Sequence, residues 1–434
     1  MSGFILGGGV TGLAAGVASG LPVCEAVDDP GGICSSYYVR PGDTRRLHVA
    51  PDDEEVYRFE IGGGHWIFGG DPVILRFIRD LAPVKRYTRR SAVFFPDESV
   101  YVPYPLQNNL RFLDQQTVAH ALAEMADPPG PFSTMKDWQR EFFGPTLCEK
   151  FFYPFHELYT AGMHDRIAPQ DAYKSPVNIG TAIRGAFDEA SAVGYNVSYA
   201  YPVEGLNTLA QRMAAQCDIR YGKRVTGIDP AGKVIHFGDG TAQKYDILLN
   251  TLPLNKTIEM TGLEVDAKPD PYTSVLVLNI GAVRGERCPD DHWLYIPATR
   301  AGFHRVGFYS NVDVSFLPAS RRQRNDGVSI YVERAYVGGN SRPSEREFKA
   351  YGDAVVKELQ EWGYIGAAEV VDPTWIDVAY TWAWPGSTFK TPALRVLEEH
   401  EIYQVGRYAR WVFQGIADSI RDGFMAGTAL QSHA

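Results

Sequence analysis

Gly3-Phe4-Ile5-Leu6-Gly7-Gly8-Gly9-Val10-Thr11-Gly12 is the stretch whose reading decides the fold. It reads as a short apolar strand over Gly3 to Leu6, a turn over Gly7 to Gly12 and a helix over Leu13 to Ala18, with Gly7, Gly9 and Gly12 meeting the G-x-G-x-x-G spacing. Such a turn lets the backbone close on a pyrophosphate, while the helix N-terminus offers unpaired N–H groups and a partial positive charge. A second strand over Val23 to Ala26 sets Glu25 where an acid bonds ribose hydroxyls. Glu25 lies only 13 residues after Gly12, against about 20 in the usual unit. The crossover helix is therefore short by one to two turns.

Working outward, a second glycine cluster follows at Gly31-Gly32 and a third at Gly62-Gly63-Gly64, ahead of an amphipathic helix from Pro72 to Leu81. From about Phe112 the spacing turns helical, over Thr117 to Ala126, Met135 to Phe143, Pro145 to Phe152 and Pro169 to Tyr173. Short strands return at Ile219 to Tyr221, Arg224 to Ile228, Val234 to Phe237 and Tyr245 to Asn250. Further strands are expected at Ser274 to Ile280, Trp293 to Ile296, His304 to Tyr309 and Val328 to Val337. A helix over Ser344 to Trp362, a strand over Ile402 to Gln404 and a helix through Gly423 to Leu430 close the pattern. This predicts an α/β protein whose Rossmann-type nucleotide-binding unit is discontinuous, over residues 1–95, 200–265 and 400–434. A helical insertion occupies 110–195 and an antiparallel-sheet substrate domain 266–399.

With 434 residues the chain exceeds one ordinary core and has room for two to three domains. A formal charge of -10 without a basic run argues against nucleic acid as a partner. Cys24, Cys34, Cys148, Cys217 and Cys288 are scattered and form no C-x-x-C pair, which fits reduced thiols in a cytoplasmic protein. The uncharged stretch Ser2 to Val23 lacks a basic flank and is broken by glycines and Pro22, so it reads as nucleotide-binding backbone rather than a signal peptide. No other apolar run approaches the ~18 residues of a membrane span.

Several further blocks carry a resemblance. Glu25 is followed six and seven residues on by Gly31-Gly32. Val102-Pro103-Tyr104-Pro105-Leu106-Gln107-Asn108-Asn109 and Gly64-His65-Trp66-Ile67-Phe68 come next. Then follow Trp293-Leu294-Tyr295-Ile296-Pro297, Phe303-His304-Arg305, Ser310-Asn311 and Gly406-Arg407-Tyr408 with Trp411. In order and spacing these resemble the flavin-dependent UDP-galactopyranose mutases, within the wider protoporphyrinogen oxidase and amine oxidase superfamily. The resemblance implies a Rossmann-type FAD/NAD(P)-binding domain, a helical domain and a sheet lining the active site. It also implies ring contraction of a UDP- or GDP-linked hexose with no net redox change, with reduced FAD as the covalent nucleophile at the anomeric carbon.

Carried over residue by residue, the resemblance implies His65, Arg305 and Lys174 as catalytic residues. His65 would lie against the flavin and Arg305 would clamp the diphosphate with its guanidinium fork. Lys174 stands where a second family arginine usually sits. Tyr104, Gln107, Asn108, His156, Trp293, Tyr295, Asn311 and Trp384 are the implied substrate-binding residues. Gly7, Gly9, Gly12, Glu25, Gly31, Gly32, Arg407 and Asp418 are the implied cofactor-binding residues. Taken singly, Tyr104 and Trp293 read as core aromatics and His65 as a buried histidine; their joint spacing favours a site.

The chain departs from the mutase pattern at three places, where tyrosines are replaced by Val312, by Phe413 and by Trp384 of Trp384-Pro385. Each phenol lost from a charged ligand weakens its binding by about 1.5–3 kcal/mol. The segment Gly415 to Gly423 keeps the flavoprotein shape without the mutase's polar residues. Three alternatives follow: a flavin-dependent amine or protoporphyrinogen oxidase-like oxidoreductase, a flavin-free mutase using Mg²⁺ or Mn²⁺ near Asp418, Asp422 and His65, and a catalytically silent nucleotide-binding protein.

Overall fold

In the computed structural model, which describes residues 2–170, 178–188 and 197–431, the strand Gly3–Leu6 lies at the centre of a five-stranded parallel sheet. The order is Ile402–Gln404, Ile247–Asn250, Gly3–Leu6, Val23–Cys24 and Ile219–Arg220. The central strand is buried along its whole length, as the inner strand of a sheet covered on both faces must be. The first helix runs from Val10 to Ser19, starting directly after Gly9 and closed by Gly20 in the left-handed conformation. A Cβ on Gly12 would stand 1.9 Å from the Gly7 carbonyl oxygen, and one on Gly16 2.7 Å from Val23 Cγ2. On its other side the closing helix Ile416–Gln431 approaches through Gly423 and Gly427, where a Cβ would meet Thr11 O at 2.2 Å and Ala15 O at 2.5 Å. Short as it is, the helix stays unbroken because backbone packs on backbone along two of its faces.

A second, seven-stranded sheet has the order Ile365–Thr381, Tyr272–Arg284, Gly327–Val337, Arg305–Phe308, Trp293–Tyr295, Ser91–Phe95 and Val100–Pro103. Its neighbours are antiparallel except Trp293–Tyr295 with Ser91–Phe95, which are parallel. Ser91–Phe95, grouped by sequence with the nucleotide-binding unit, thus contributes to the other sheet. The edge strand Ile365–Thr381 was not expected from the pattern. It carries Pro373 and the carboxylates Glu369, Asp372 and Asp377, which an edge strand tolerates and which break its alternation.

The helical part comprises Gln115–Ala126, Met135–Leu147, Tyr153–Tyr159 and Ile179–Phe187, with a π-helical stretch Cys148–Phe152 between the second and third. The expected segment Pro169 to Tyr173 runs past residue 170, the last described before 178. Ile179–Phe187 seats on the turn Leu106–Asn108 through Gly185, where a Cβ would lie 1.9 Å from the Asn108 carbonyl oxygen. Among the described residues no helix is long and apolar enough to cross a membrane.

Candidate active site

The two sheets and the helical part enclose a cavity of about 720 Å³, inside the range of small-molecule and cofactor sites. Its nucleotide end is built from backbone. Gly7 and Gly31 have φ of 99° and 106°, which L side chains avoid. The Gly31 amide donates to Gly8 O at 2.8 Å, so the first two glycine clusters form one continuous floor. A Cβ on Gly9 would meet nothing within 4 Å, and the helix that starts after it has no side-chain cap, which leaves its first N–H groups for an anion. Glu25 Oε2 accepts from Gly8 N at 2.7 Å and Oε1 from Val27 N at 3.0 Å. A carboxylate offers about four acceptor directions, so two remain for ribose hydroxyls. These features fit the nucleotide half of a flavin dinucleotide.

The other end is built from side chains. Arg305 and Glu333 are direct cross-strand partners in the middle of the seven-stranded sheet. Arg305 Nη2 donates to the Glu333 carboxylate and, at 3.1 Å, to the Tyr380 hydroxyl, while its Nε is buried without a hydrogen bond. Burial works against charge on both groups. The attraction wins: Glu333 is held down to about 2 by Arg305 and His304, and Arg305 is raised well above its usual range by Glu333 and the surrounding tyrosines. Arg407 lies on the same wall, among Tyr380, Tyr408 and Phe413, with Nη1 on Gln414 O at 3.2 Å. No carboxylate pairs with it among the described residues.

His65 reaches this end from the third glycine cluster, packed so tightly on Gly62 that a Cβ there would stand 2.4 Å from its Cε1. Burial and then Arg407 push its imidazole down to about 4, so it is neutral near neutral pH. The helical part adds an aromatic wall. Phe152, Phe155, His156 and Tyr159 fall on one helical face across the end of the π-helical stretch and all line the cavity. His156 Nδ1 bonds Phe152 O at 2.7 Å, which assigns the proton to Nδ1, and burial holds the ring neutral with its value near 3. Opposite, the Tyr104 ring lies 4.6 Å from that of Tyr295.

The cavity therefore gathers Gly7, Gly9, Glu25, Gly31, Gly32 and Asp418 at one end and His65, Tyr104, His156, Tyr295, Arg305 and Arg407 at the other. Gly12 lies behind the floor as a packing residue. Five residues implied to bind substrate are elsewhere. Gln107 and Asn108 are buried under the helical part, 1 % and 2 % exposed. They sit there because their 3-10 turn anchors Ile179–Phe187 rather than facing the cavity. Trp293 is packed among Tyr199 and His292 in the core. Asn311 is consumed by the loop between Tyr272–Arg284 and Trp293–Tyr295, donating to Pro289 O and Asp291 O and accepting from Arg284. Trp384 bonds Pro269 O at 2.9 Å and stacks under Lys268. Lys174 lies outside the described residues.

Of the three positions where the resemblance implies a lost tyrosine, Val312 is core and only Phe413 lines the cavity. Phenols arrive instead from Tyr380 and Tyr159. The acids offered for a metal do not converge: Asp422 is engaged by Gln414 at 2.6 Å and Arg410 at 3.5 Å, and Asp418 by Arg421 at 3.5 Å. Among the described residues no three His, Cys, Asp or Glu side chains come together as metal ligands. The residues missed in the sequence are Glu333, His304, Tyr159, Tyr380 and Trp382. Glu333 had a signal, a lone acid inside the apolar run Gly327–Val337, since an acid in a buried strand needs a partner.

Comparison with known proteins agrees with this architecture. The family model described as flavin containing amine oxidoreductase matches residues 21–429. A reduced UDP-galactopyranose mutase superposes with a TM-score of 0.83 at 20% identity, covering 100% of this chain and 96% of that one. A putative protoporphyrinogen oxidase from Exiguobacterium sp. gives 0.71 at 15%, covering 100% and 99%. A putrescine oxidase gives 0.55 at 15%, covering 99% of each chain. These likenesses establish a shared fold, and the family match over nearly the whole chain implies bound FAD. The chain belongs to the flavin-containing amine oxidoreductase family.

Proposed function

We propose that this protein is a nucleotide-sugar pyranose/furanose mutase, an isomerase that contracts the ring of a UDP- or GDP-linked hexose without net redox change and works with reduced FAD. The observation that carries the reading is the charge of the far end of the cavity, where Arg305 and Arg407 face a single carboxylate, Glu333. That excess suits a diphosphate. It opposes the protonated amine that an amine oxidase must admit, because two guanidinium groups in a low-dielectric pocket repel a cation.

Within this reading Arg305 holds the diphosphate and steadies it as a leaving group, with the Tyr380 hydroxyl fixing Arg305. It is joined by Arg407, which the resemblance implies as a flavin contact and which lies on the same wall. The Tyr104 and Tyr295 rings form a stacking surface for the base. Neutral His65 can accept a proton from a sugar hydroxyl, and the aromatic wall excludes water. Bound and reduced, the flavin would supply the nucleophile that these residues orient the sugar to meet.

The test is incubation of the purified flavoprotein with UDP-galactopyranose and GDP-linked hexopyranoses, with and without dithionite, and with and without Mn²⁺ or a chelator. Dithionite-dependent furanose, unaffected by chelation, is expected. Peroxide formed from amines with no furanose under any condition would transfer the protein to the oxidases. Furanose that needs metal and not dithionite would overturn the role of reduced flavin.

A further inference from the structure

The diphosphate of a nucleotide sugar carries two fixed negative charges, and on the reading above it must be matched inside the cavity. Among the described residues of this end of the cavity, Arg305 and Arg407 less Glu333 leave one positive charge. One more positive charge among these residues would complete the match.

His304 is placed to supply it. It immediately precedes Arg305, lines the cavity and is 1 % exposed, yet neither ring nitrogen has a hydrogen bond. Nε2 stands 3.7 Å from Glu333 Oε2, too far for a hydrogen bond and near enough for strong attraction. A buried imidazole with both nitrogens orphaned is a costly arrangement that a ligand can complete. The groups facing it are Glu333 from Gly327–Val337, Arg305 next in the chain, His156 and Tyr159 from Tyr153–Tyr159, Tyr295 from Trp293–Tyr295 and Tyr380 from Ile365–Thr381. Among the described imidazoles lining the cavity, His304 is the one with a carboxylate oxygen within 4 Å. His156 has its Nδ1 tied to Phe152 O and no acid within bonding reach among the described residues.

Without an anion, burial keeps the His304 imidazole below its ordinary value, with Arg305 adding to that and Glu333 opposing it. A diphosphate on Arg305 changes the balance. It takes over part of the guanidinium that compensates Glu333 and adds two negative charges of its own, all of which favour an imidazolium. We propose that His304 is a substrate-binding residue that takes up one proton from solvent as the diphosphate enters, its imidazolium then lying between Glu333 and a phosphate oxygen. The site becomes doubly positive only when it holds a double negative charge, so it discriminates against neutral and singly charged sugars.

This inference rests on the mutase reading and is separable from it by calorimetry. UDP-glucose and GDP-mannose are titrated into the oxidised holoenzyme near neutral pH, in two buffers of different ionisation enthalpy. A buffer-dependent heat corresponding to about one proton taken up per nucleotide sugar is expected, with affinity falling by up to tenfold per pH unit as pH rises. His304→Gln should retain weaker binding and lose both the buffer-dependent heat and the pH slope, while His156→Gln keeps them. Wild-type binding without proton uptake, or full uptake in His304→Gln, overturns the inference alone. Should His304→Gln fail to fold, the wild-type pH slope still decides, a flat affinity being the negative result. If neither nucleotide sugar binds the wild type, the mutase reading falls and this inference with it.

Discussion

The two ends of the cavity are made of different materials. At the nucleotide end the groups that meet a ligand are amides and glycine Cα atoms, fixed by the chain's path through Gly7, Gly9, Gly31 and Gly32. At the far end they are two guanidinium groups, a carboxylate, imidazoles and phenols projected from segments far apart in sequence. A backbone site is set by local geometry and tolerates almost no change of residue. A side-chain site is set by tertiary packing and can be retuned one residue at a time.

The sharpest break between the ends comes from two glycines three residues apart. Replacing Gly12 by alanine gains about 1 kcal/mol of helix propensity but brings Cβ to 1.9 Å from the Gly7 carbonyl oxygen. Only moving the turn or the helix relieves that overlap, at a cost well above the ~3 kcal/mol of ordinary overpacking. Gly12→Ala should therefore accumulate no folded flavoprotein. Gly9 has φ -69° and open space around the added Cβ, so Gly9→Ala should keep the apoprotein's melting temperature and lose flavin, because the methyl fills space the ligand needs. Equal losses of fold in the two variants, read by thermal melting and flavin absorbance, would show that the turn does not distinguish packing from binding.

At the far end the largest effect is expected from Arg305→Met. It strands a buried Glu333 carboxylate, and breaking a buried pair from one side costs about 3–5 kcal/mol. The double variant Arg305→Met with Glu333→Leu should recover much of that stability in urea unfolding, since an apolar pair of similar volume is often neutral. Nucleotide-sugar binding should be lost in both. Recovery of binding in the double variant would mean that the guanidinium serves the fold rather than the ligand.

The same contrast explains what the sequence disclosed. The glycine turn, the parallel strands and Glu25 were legible because a pyrophosphate site demands particular residues at fixed local spacing. Tyr104, His156, Arg305 and Arg407 were legible only as a set, through the order of blocks along the chain. Gln107, Asn108 and Trp293 belong to those blocks yet face the core, since one turn or strand presents only some of its residues to a cavity. Tyr380 gave no sign of a site role, and Glu333 only that of a lone acid in an apolar strand. Their strands lie apart in sequence from the blocks they complete, and the strand bearing Tyr380 hides its period behind Pro373 and its carboxylates.

His65 tests whether the far end keeps its charge only where it is paired. Its folded-state value is depressed to about 4, burial first and Arg407 second, while the unfolded chain binds a proton near 6.5. Between those values the unfolded state carries the extra proton, so stability is complete above about pH 6.5 and declines as pH falls toward 4. The ring is partly open to the cavity, which makes 1.4 kcal/mol per pH unit an upper bound, about one proton's worth. His65→Gln keeps a polar group at the site but cannot titrate. The variant should start less stable near pH 7 and lose less on acidification, so that its unfolding free energy converges on the wild type's between pH 6 and 5. Parallel curves would mean that His65 is already protonated there, held by Glu333 despite the two arginines, and that the far end is more acidic than its guanidinium groups imply.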